Sequence, residues 1–450
     1  MNAEQIEAEY RSVEAELLAR WPETKLEPSR DRIEALMDLL GSPQRAYPAI
    51  HITGTNGKTS TARMIDALLR ALNLRTGRTT SPHLEEVRER ICLDGSPIDR
   101  RRFVEVYREM KPFADLVDER QPYPLSFFEM ITGLAYAAFA DAPVDAAVVE
   151  VGLGGTWDAT NVIDAGVAVV TPISLDHTRL LGDTVEDIAW EKSGIIKPNA
   201  LAILAQQPLE AAQVLLRHAA EVDATVAREG IEFGVMDRQL AVGGQQLVIK
   251  GLSGEYDGLY LPLHGAHQAQ NAACAIAAVE AFLGAGQGGA VLEPGLVREA
   301  LAAVTSPGRL EVVRRSPTIL LDAAHNPGGA RATAEAVAEE FAFDHLVGVL
   351  AVSADKDVRG VLEAFEPVLD ELVVTVNSTP RSMPVEELAA LAADVFGPDR
   401  VTAEPRLDDA IDRAVGLAEA GVVDASLGGT GVLITGSVIT AGEAGTLLRR

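Results

Sequence analysis

The chain has 450 residues, 47% of them hydrophobic and 23% charged, enough at roughly 100–200 residues per domain for two or three domains with proper cores. Its 39 Lys and Arg against 66 Asp and Glu leave a net charge of −27, which argues against a nucleic-acid partner and requires any phosphate site to concentrate positive charge locally. No apolar run is long enough to span a membrane, the acidic N-terminus does not read as a signal peptide, and the two distant cysteines, Cys92 and Cys274, suit a reducing cytoplasm.

In chain order, residues 1–20 and 29–40 have helical periodicity, and YPAIHIT (47–53) reads as a short buried strand. HITGTNGKTS (51–60) ends as a phosphate loop does, in Gly57, Lys58 and Thr59, and a helix follows over 58–72. The upstream glycine is displaced, because Gly54 lies three residues before Gly57 where the ordinary loop has five, and Ile52 stands in the expected place. Strand, glycine-rich loop and helix is nevertheless the arrangement that turns helical N–H groups and a positive dipole end toward phosphate. Ser126 and Glu129 form a capping box ahead of the helix SFFEMITGLAYAAFA. DAAVVEV (145–151) and GVAVVTPI (166–173) read as strands, Thr184 opens a helix, 231–262 looks hairpin-like, and AQNAACAIAAVEAFL reads as a helix. From about residue 306 a second strand–helix series begins with SPTILLDAAHNPGG and continues through HLVGVLAV, ELVVTV and GVLITGS. Such alternation predicts α/β architecture with parallel sheets.

Three side chains stand just beyond strand ends, where ligands of parallel sheets bind. Ser81 lies in TTSPHL, Glu150 in AVVEVGLGGTWDATN and His177 in TPISLDHTRLLGDT. A hydroxyl, a carboxylate and an imidazole at neighbouring tips suit one divalent ion beside the phosphates. Taken singly, each is equally a turn residue, a satisfied carboxylate or a loop histidine.

GTNGKTS, TSPHL, SFFE, EVGLGGTWDATN, LDHTRLLGDTVEDIAWEKSGIIK, the GAHQAQN run, PGRLE and DAAHNP occur in an order that resembles the folylpolyglutamate synthase/dihydrofolate synthase family. That family belongs to the Mur-ligase-like, ATP-dependent amide ligases, for which a shortened phosphate loop is a hallmark. The resemblance implies an N-terminal P-loop ATPase domain with a mainly parallel sheet (1–305) and a smaller, Rossmann-like C-terminal domain that receives glutamate (306–450). It implies ATP on Gly54, Thr55, Asn56, Gly57, Lys58, Thr59 and Ser60, with Asn271, Arg309, Asp322 and His325 as further nucleotide contacts. It implies magnesium at two sites, on Ser81, Glu150 and His177 and on Lys192 as an N6-carboxylated lysine; Lys58, His177 and Lys192 are the expected catalytic groups. The pterin substrate is expected near Thr24, Lys25, Leu26, Ser126, Phe127, Phe128, Glu129, Trp157, Asp158 and Ala159, and glutamate near Ser437. For one of the two phenylalanines a core role is the alternative, and for Ser437 a helix N-cap is.

The expected reaction joins L-glutamate to dihydropteroate, to folates or to both, through an acyl phosphate, giving ADP and phosphate. The expected partners are these small molecules, with no nucleic acid and no membrane, and the expected state is a cytoplasmic monomer. Two rivals remain at this stage: another Mur-type ligase acting on peptidoglycan precursors, and a regulatory P-loop ATPase that makes no bond. Two departures from the family pattern stand out. Thr156 replaces an Arg or Lys, and Ala323 replaces a glycine.

Overall fold

A computed structural model describes residues 2–22, 28–284, 291–421 and 429–449. The chain divides into two compact units, one of Met1–Arg238, Gln246–Leu261 and Ala269–Val304, the other of Gln239–Gln245, Pro262–Gln268 and Thr305–Arg450.

The strands of the first unit are β1 (Ala49–Thr53), β2 (Thr76–Thr79), β3 (Ile91–Leu93), β4 (Ser96–Pro97), β5 (Ala146–Glu150), β6 (Val167–Val170), β7 (Leu201–Leu204) and β8 (Thr225–Arg228). They form one sheet in the order β4-β3-β2-β5-β1-β6-β7-β8. The strands from β2 to β8 along this order run parallel, while β3 and β4 at the edge pair antiparallel. Every residue of β1 and β5 is buried, as expected of central parallel strands covered on both faces.

The helices are α1 (Ala3–Leu18), α2 (Asp31–Leu39), α3 (Lys58–Ala71), α4 (Arg100–Arg120), α5 (Phe127–Asp141), α6 (Thr178–Leu181), α7 (Val185–Ser193) and α8 (Leu209–Glu221). Ala147 and Val149 of β5 pack against Leu17, Ile33, Met110, Leu134 and Phe139, drawn from α1, α2, α4 and α5. Ala168, Val170, Ala202 and Leu204 pack with Ile188, Ala189, Ala211 and Leu215 of α7 and α8. The stretch expected to be hairpin-like is a three-stranded meander, β9 (Gly234–Ala241), β10 (Gly244–Lys250) and β11 (Glu255–Leu261), because a second turn returns the chain once more. Then come α9 (Ala266–Phe282) and α10 (Pro294–Ala302).

In the second unit β12 (Glu311–Arg315), β13 (Thr318–Leu321), β14 (Phe343–Leu350), β15 (Glu371–Val374), β16 (Val401–Ala403) and β17 (Gly429–Thr435) form a sheet in the order β12-β13-β17-β14-β15-β16. Only the β12–β13 edge pair is antiparallel among the pairs of this sheet. Between the strands run α11 (Pro327–Glu340), α12 (Val358–Phe365), α13 (Val385–Phe396), α14 (Leu407–Ala420) and α15 (Val438–Leu448). Leu346, Leu350, Leu372 and Val374 face α11, α12 and α13, whereas Val347, Val349, Val373 and Ile434 face α14 and α15. Successive strand residues thus feed two cores, one on each side of the sheet. No helix among the described residues is long and apolar enough to cross a membrane.

Candidate active site

The sheet order of the first unit sets β2, β5, β1 and β6 side by side, so the loops at their carboxyl ends are neighbours. Gly54 and Gly57 make the turn between β1 and α3. Both are in the positive-φ region, at +143° and +91°, which side chains disfavour. A Cβ at Gly54 would run into Thr171 Oγ1, and one at Gly57 would lie 2.5 Å from Asn271 Oδ1. The short loop is held from outside, because the Thr55 N–H donates to Pro172 O (2.9 Å) and its hydroxyl to Ser174 O (3.0 Å). With Gly57 as N-cap, the positive end of α3 opens onto this turn.

Lys58 folds back over the loop and donates to Gly54 O (2.9 Å) and Thr55 O (3.1 Å). Lys192, near the end of α7, donates to the same Gly54 carbonyl at 2.8 Å. It is 3% exposed, which sets it apart from an ordinary solvated helix lysine. Burial, and then the charge of Lys58, lower its pKa to about 7, while Asp176, Asp158 and Glu191 pull the other way. Glu150, buried at the tip of β5, accepts the Thr59 hydroxyl (2.9 and 3.1 Å to its two oxygens) and the Ser81 N–H (3.2 Å). His177 heads α6 in the left-handed region, with its side chain one-third exposed and its ring 4.0 Å from the Asp176 carboxylate. The structure therefore joins Gly54, Thr55, Lys58, Thr59, Ser81, Glu150 and Lys192 by direct contacts. It places His177 on the β6 loop whose Pro172 and Ser174 anchor Thr55.

The expected acceptor residues fall into two sorts. Ser126 and Glu129 close their capping box (Glu129 N–H to Ser126 Oγ, 3.2 Å; Ser126 N–H to Glu129 Oε2, 2.7 Å), and Arg32 donates to Glu129 Oε1 at 3.0 Å. The Asp158 carboxylate accepts the N–H groups of Leu153 and Thr160, both at 2.9 Å, and the Thr160 hydroxyl. These polar groups are turned inward and shape the loops that carry them. Ala159 is buried, and so is Phe127, with the Arg90 guanidinium 4.9 Å from its ring centroid. Phe128, over Gly152, and Trp157 are half-buried and present aromatic surface. Thr24, Lys25 and Leu26 lie outside the described residues. Thr156 uses its hydroxyl to hold Glu191 O of α7 at 3.0 Å, a contact that ties the loop after β5 to that helix.

Several polar partners of this region have no local sequence signal. Arg90 Nε donates to His83 Nδ1 at 2.8 Å, and burial together with Arg90 lowers the His83 pKa to about 3. His51, fully buried in β1, lies 2.9 Å from Thr160 Oγ1. Since the Thr160 proton goes to Asp158, the ring donates from Nε2, and the neutral form is kept: burial, then Lys197, lower its pKa to about 3. Asp176, beside His177 and with its side chain 9% exposed, is a further such group.

In the second unit Asp322 follows β13 and accepts Leu310 N–H (2.9 Å), Ala324 N–H (2.8 Å) and the Thr333 hydroxyl (2.9 Å). It thereby fixes the turn bearing Arg309. His325 Nδ1 donates to Ala323 O at 2.9 Å. Ala323 is not among the residues with positive φ, so its methyl is accommodated without backbone strain. Ser437 is the N-cap of α15, accepting Thr440 N–H at 3.0 Å.

The sequence matches the Mur ligase middle domain over residues 52–279 and the Mur ligase glutamate ligase domain over 308–438. It is 54% identical to a dihydrofolate synthase/folylpolyglutamate synthase of Mycobacterium tuberculosis, over 98% of this chain and 94% of that one. It is 32% identical to a Bacillus subtilis protein of the same name, over 86% and 88% of the two chains. The crystal structure of Mycobacterium tuberculosis folylpolyglutamate synthase complexed with ADP and AMPPCP superposes with a TM-score of 0.94 at 54% identity, covering 99% of each chain. Its two Mur ligase domains and these full-length likenesses show that the chain belongs to the dihydrofolate synthase/folylpolyglutamate synthase family.

Proposed function

We propose that this protein uses ATP to join L-glutamate to dihydropteroate and to folates, through an acyl phosphate and with release of ADP and phosphate. The observation that carries this reading is the convergence of two lysines on one carbonyl of the shortened phosphate loop, beside a buried carboxylate. A carboxylate and ATP are both anions, so their reaction needs concentrated positive charge, and a chain of net charge −27 supplies little elsewhere. Lys58 draws the γ-phosphate toward the acceptor carboxylate, and the first N–H groups of α3 bind the bridging oxygens. The carboxylate oxygen then attacks phosphorus, ADP leaves, and the glutamate amine displaces phosphate from the acyl carbon, releasing one proton.

The donor set fits magnesium. Glu150 and the Thr59 and Ser81 hydroxyls are oxygen donors of the kind that ion accepts, and the His177 imidazole adds a softer nitrogen donor to that set. Among the described residues no three His, Cys, Asp or Glu gather as a protein-only cage, consistent with an ion that retains water and phosphate ligands. Ser81, Glu150 and His177 would hold one ion and a carboxylated Lys192 a second; bound there, magnesium supplies charge neutralisation on the phosphates. The buried, readily neutral amine of Lys192 is the form that combines with carbon dioxide.

We assign ATP and the pterin acceptor to the first unit, the pterin against Phe128 and Trp157 with Phe127, Ser126, Glu129, Asp158 and Ala159 shaping its walls. Asn271, Arg309, Asp322 and His325 are assigned to the nucleotide and Ser437 to glutamate. The test is a panel of dihydropteroate and reduced folates with ATP, magnesium and labelled glutamate, read by mass spectrometry. The expected products are the glutamyl amides with ADP and phosphate; AMP and pyrophosphate would reject the acyl-phosphate route.

A further inference from the structure

At the carboxyl edge of the second unit's sheet, β14 leads to α12 on one face and β17 to α15 on the other. Adjacent strands whose connections part to opposite faces leave a crevice between them, the usual ligand position in such sheets. Ser437 follows β17 there and Ala351 follows β14. Asn377, from the loop after β15, reaches the same place. Asn377, Ser437 and Thr440 are 7%, 8% and 0% exposed.

Their protons can be counted. Asn377 Oδ1 accepts the Thr379 N–H at 3.2 Å, which turns Nδ2 toward the hydroxyls. Nδ2 donates one proton to Ser437 Oγ (3.1 Å) and the other to Thr440 Oγ1 (3.0 Å). The Thr440 hydroxyl donates to Ala351 O at 2.9 Å, and the Thr440 N–H donates to Ser437 Oγ at 3.0 Å. Ser437 Oγ therefore accepts twice, which fills both lone pairs. All that it retains is its own proton, which rests on Thr440 Oγ1, 2.9 Å away.

We propose that Asn377 is a positioning residue that makes Ser437 an obligate hydrogen-bond donor, so that this crevice selects a carboxylate oxygen of the incoming amino acid and rejects its ammonium group. The inference rests on the assignment of Ser437 to glutamate. The position of Ser437 as N-cap of the eleven-residue α15 adds the positive end of a helix dipole to the same preference. Asn377→Asp would replace the donor by an acceptor, draw the Ser437 proton inward and set a negative charge beside the site.

The experiment measures KM for glutamate, ATP and acceptor in the intact enzyme for Asn377→Asp, Asn377→Ala, Ser437→Ala and the Asn377→Ala/Ser437→Ala double variant. Asn377→Asp should raise KM for glutamate about tenfold or more, leaving KM for ATP and acceptor within about twofold. Asn377→Ala should raise it less, and is read in its place if the Asp variant does not fold. In the double variant Asn377→Ala should add little to Ser437→Ala, because it acts through that hydroxyl. If Ser437→Ala leaves KM for glutamate unchanged, the assignment of Ser437 fails. If Ser437→Ala raises it but both Asn377 variants leave it unchanged, or if their effects are fully additive or move all three KM values together, the positioning role is overturned.

Discussion

Lys58 and Lys192 share an acceptor, the carbonyl oxygen of Gly54, which they approach to 2.9 and 2.8 Å. Two ammonium groups so placed repel one another, and the proximity of Lys58 is the second cause, after burial, of the lowered Lys192 pKa. A phosphate bound between them would offset this cost. Lys58→Met should therefore weaken ATP binding by roughly tenfold to a hundredfold while lowering the thermal midpoint of the nucleotide-free protein by only a few degrees. Calorimetric titration with a non-hydrolysable ATP analogue, alongside thermal melts, checks both. Undiminished nucleotide affinity would take Lys58 out of the phosphate site.

Glu150 is 2% exposed and accepts from both Thr59 and Ser81. Glu150→Gln keeps the shape and a carbonyl acceptor but loses the charge. Turnover is expected to fall about a hundredfold or more, with the magnesium concentration needed for half-maximal rate moved upward. A magnesium titration that overlays the wild-type curve would leave Glu150 as a merely structural acceptor.

For His177 the expected signature is different. Its side chain is one-third exposed at the head of the short α6, so His177→Ala should leave the melting temperature nearly unchanged. Turnover should nevertheless drop about a hundredfold if the imidazole orients a phosphate-bridging ion. Near-normal turnover at low magnesium would return His177 to the status of a loop residue.

What could be read from sequence was what lies close together in it. The phosphate loop, the Ser126–Glu129 capping box and the strand preceding Glu150 each depend on residues within a turn or a strand, and each is where the local pattern puts it. Arg32 meets Glu129 across 97 positions, and no periodicity announces such a pair. The burial of Lys192 was hidden for another reason. Its helix α7 has only nine residues, too few for its apolar stripe to show which flank is covered. His51 sits in a strand whose residues are all buried, so alternation could not reveal that its partner is Thr160. The antiparallel pairs β3–β4 and β12–β13 follow from short turns that leave no room for a crossover helix.

His51 gives a pH prediction. Its pKa falls from an ordinary value near 6.5 to about 3 in the fold, chiefly through burial and then through Lys197. Above the unfolded value neither state carries the proton, and the contribution is fully present. As pH falls from about 6.5 toward 3 the unfolded chain binds a proton that the folded chain refuses, so stability is lost at up to about 1.4 kcal/mol per pH unit. His51→Gln, whose amide can still donate to Thr160, removes that slope. Urea unfolding at about pH 7, 5.5 and 4.5 should show the wild-type's stability falling relative to the variant at each step. Parallel curves would mean that another group bears the proton linkage.

Lys192 is the sharper case, because three outcomes separate a carbamate from a simple ammonium. A buried amine whose pKa lies at about 7 is substantially neutral near physiological pH, and only the neutral amine adds to carbon dioxide. The addition exchanges a cation for an anion beside Lys58, so repulsion between the two side chains becomes attraction. Lys192→Ala removes both forms, and turnover should fall about a hundredfold or more. If the lost group was an anionic oxygen donor, short carboxylates such as acetate or propionate should restore part of the activity, whereas methylammonium should not. The wild-type protein equilibrated with ¹³C-bicarbonate should show a carbamate carbon resonance that is absent from Lys192→Ala, a readout independent of turnover. Rescue by the amine and not by the acids, with no carbamate signal, would make Lys192 a second phosphate-binding ammonium and reject the modification.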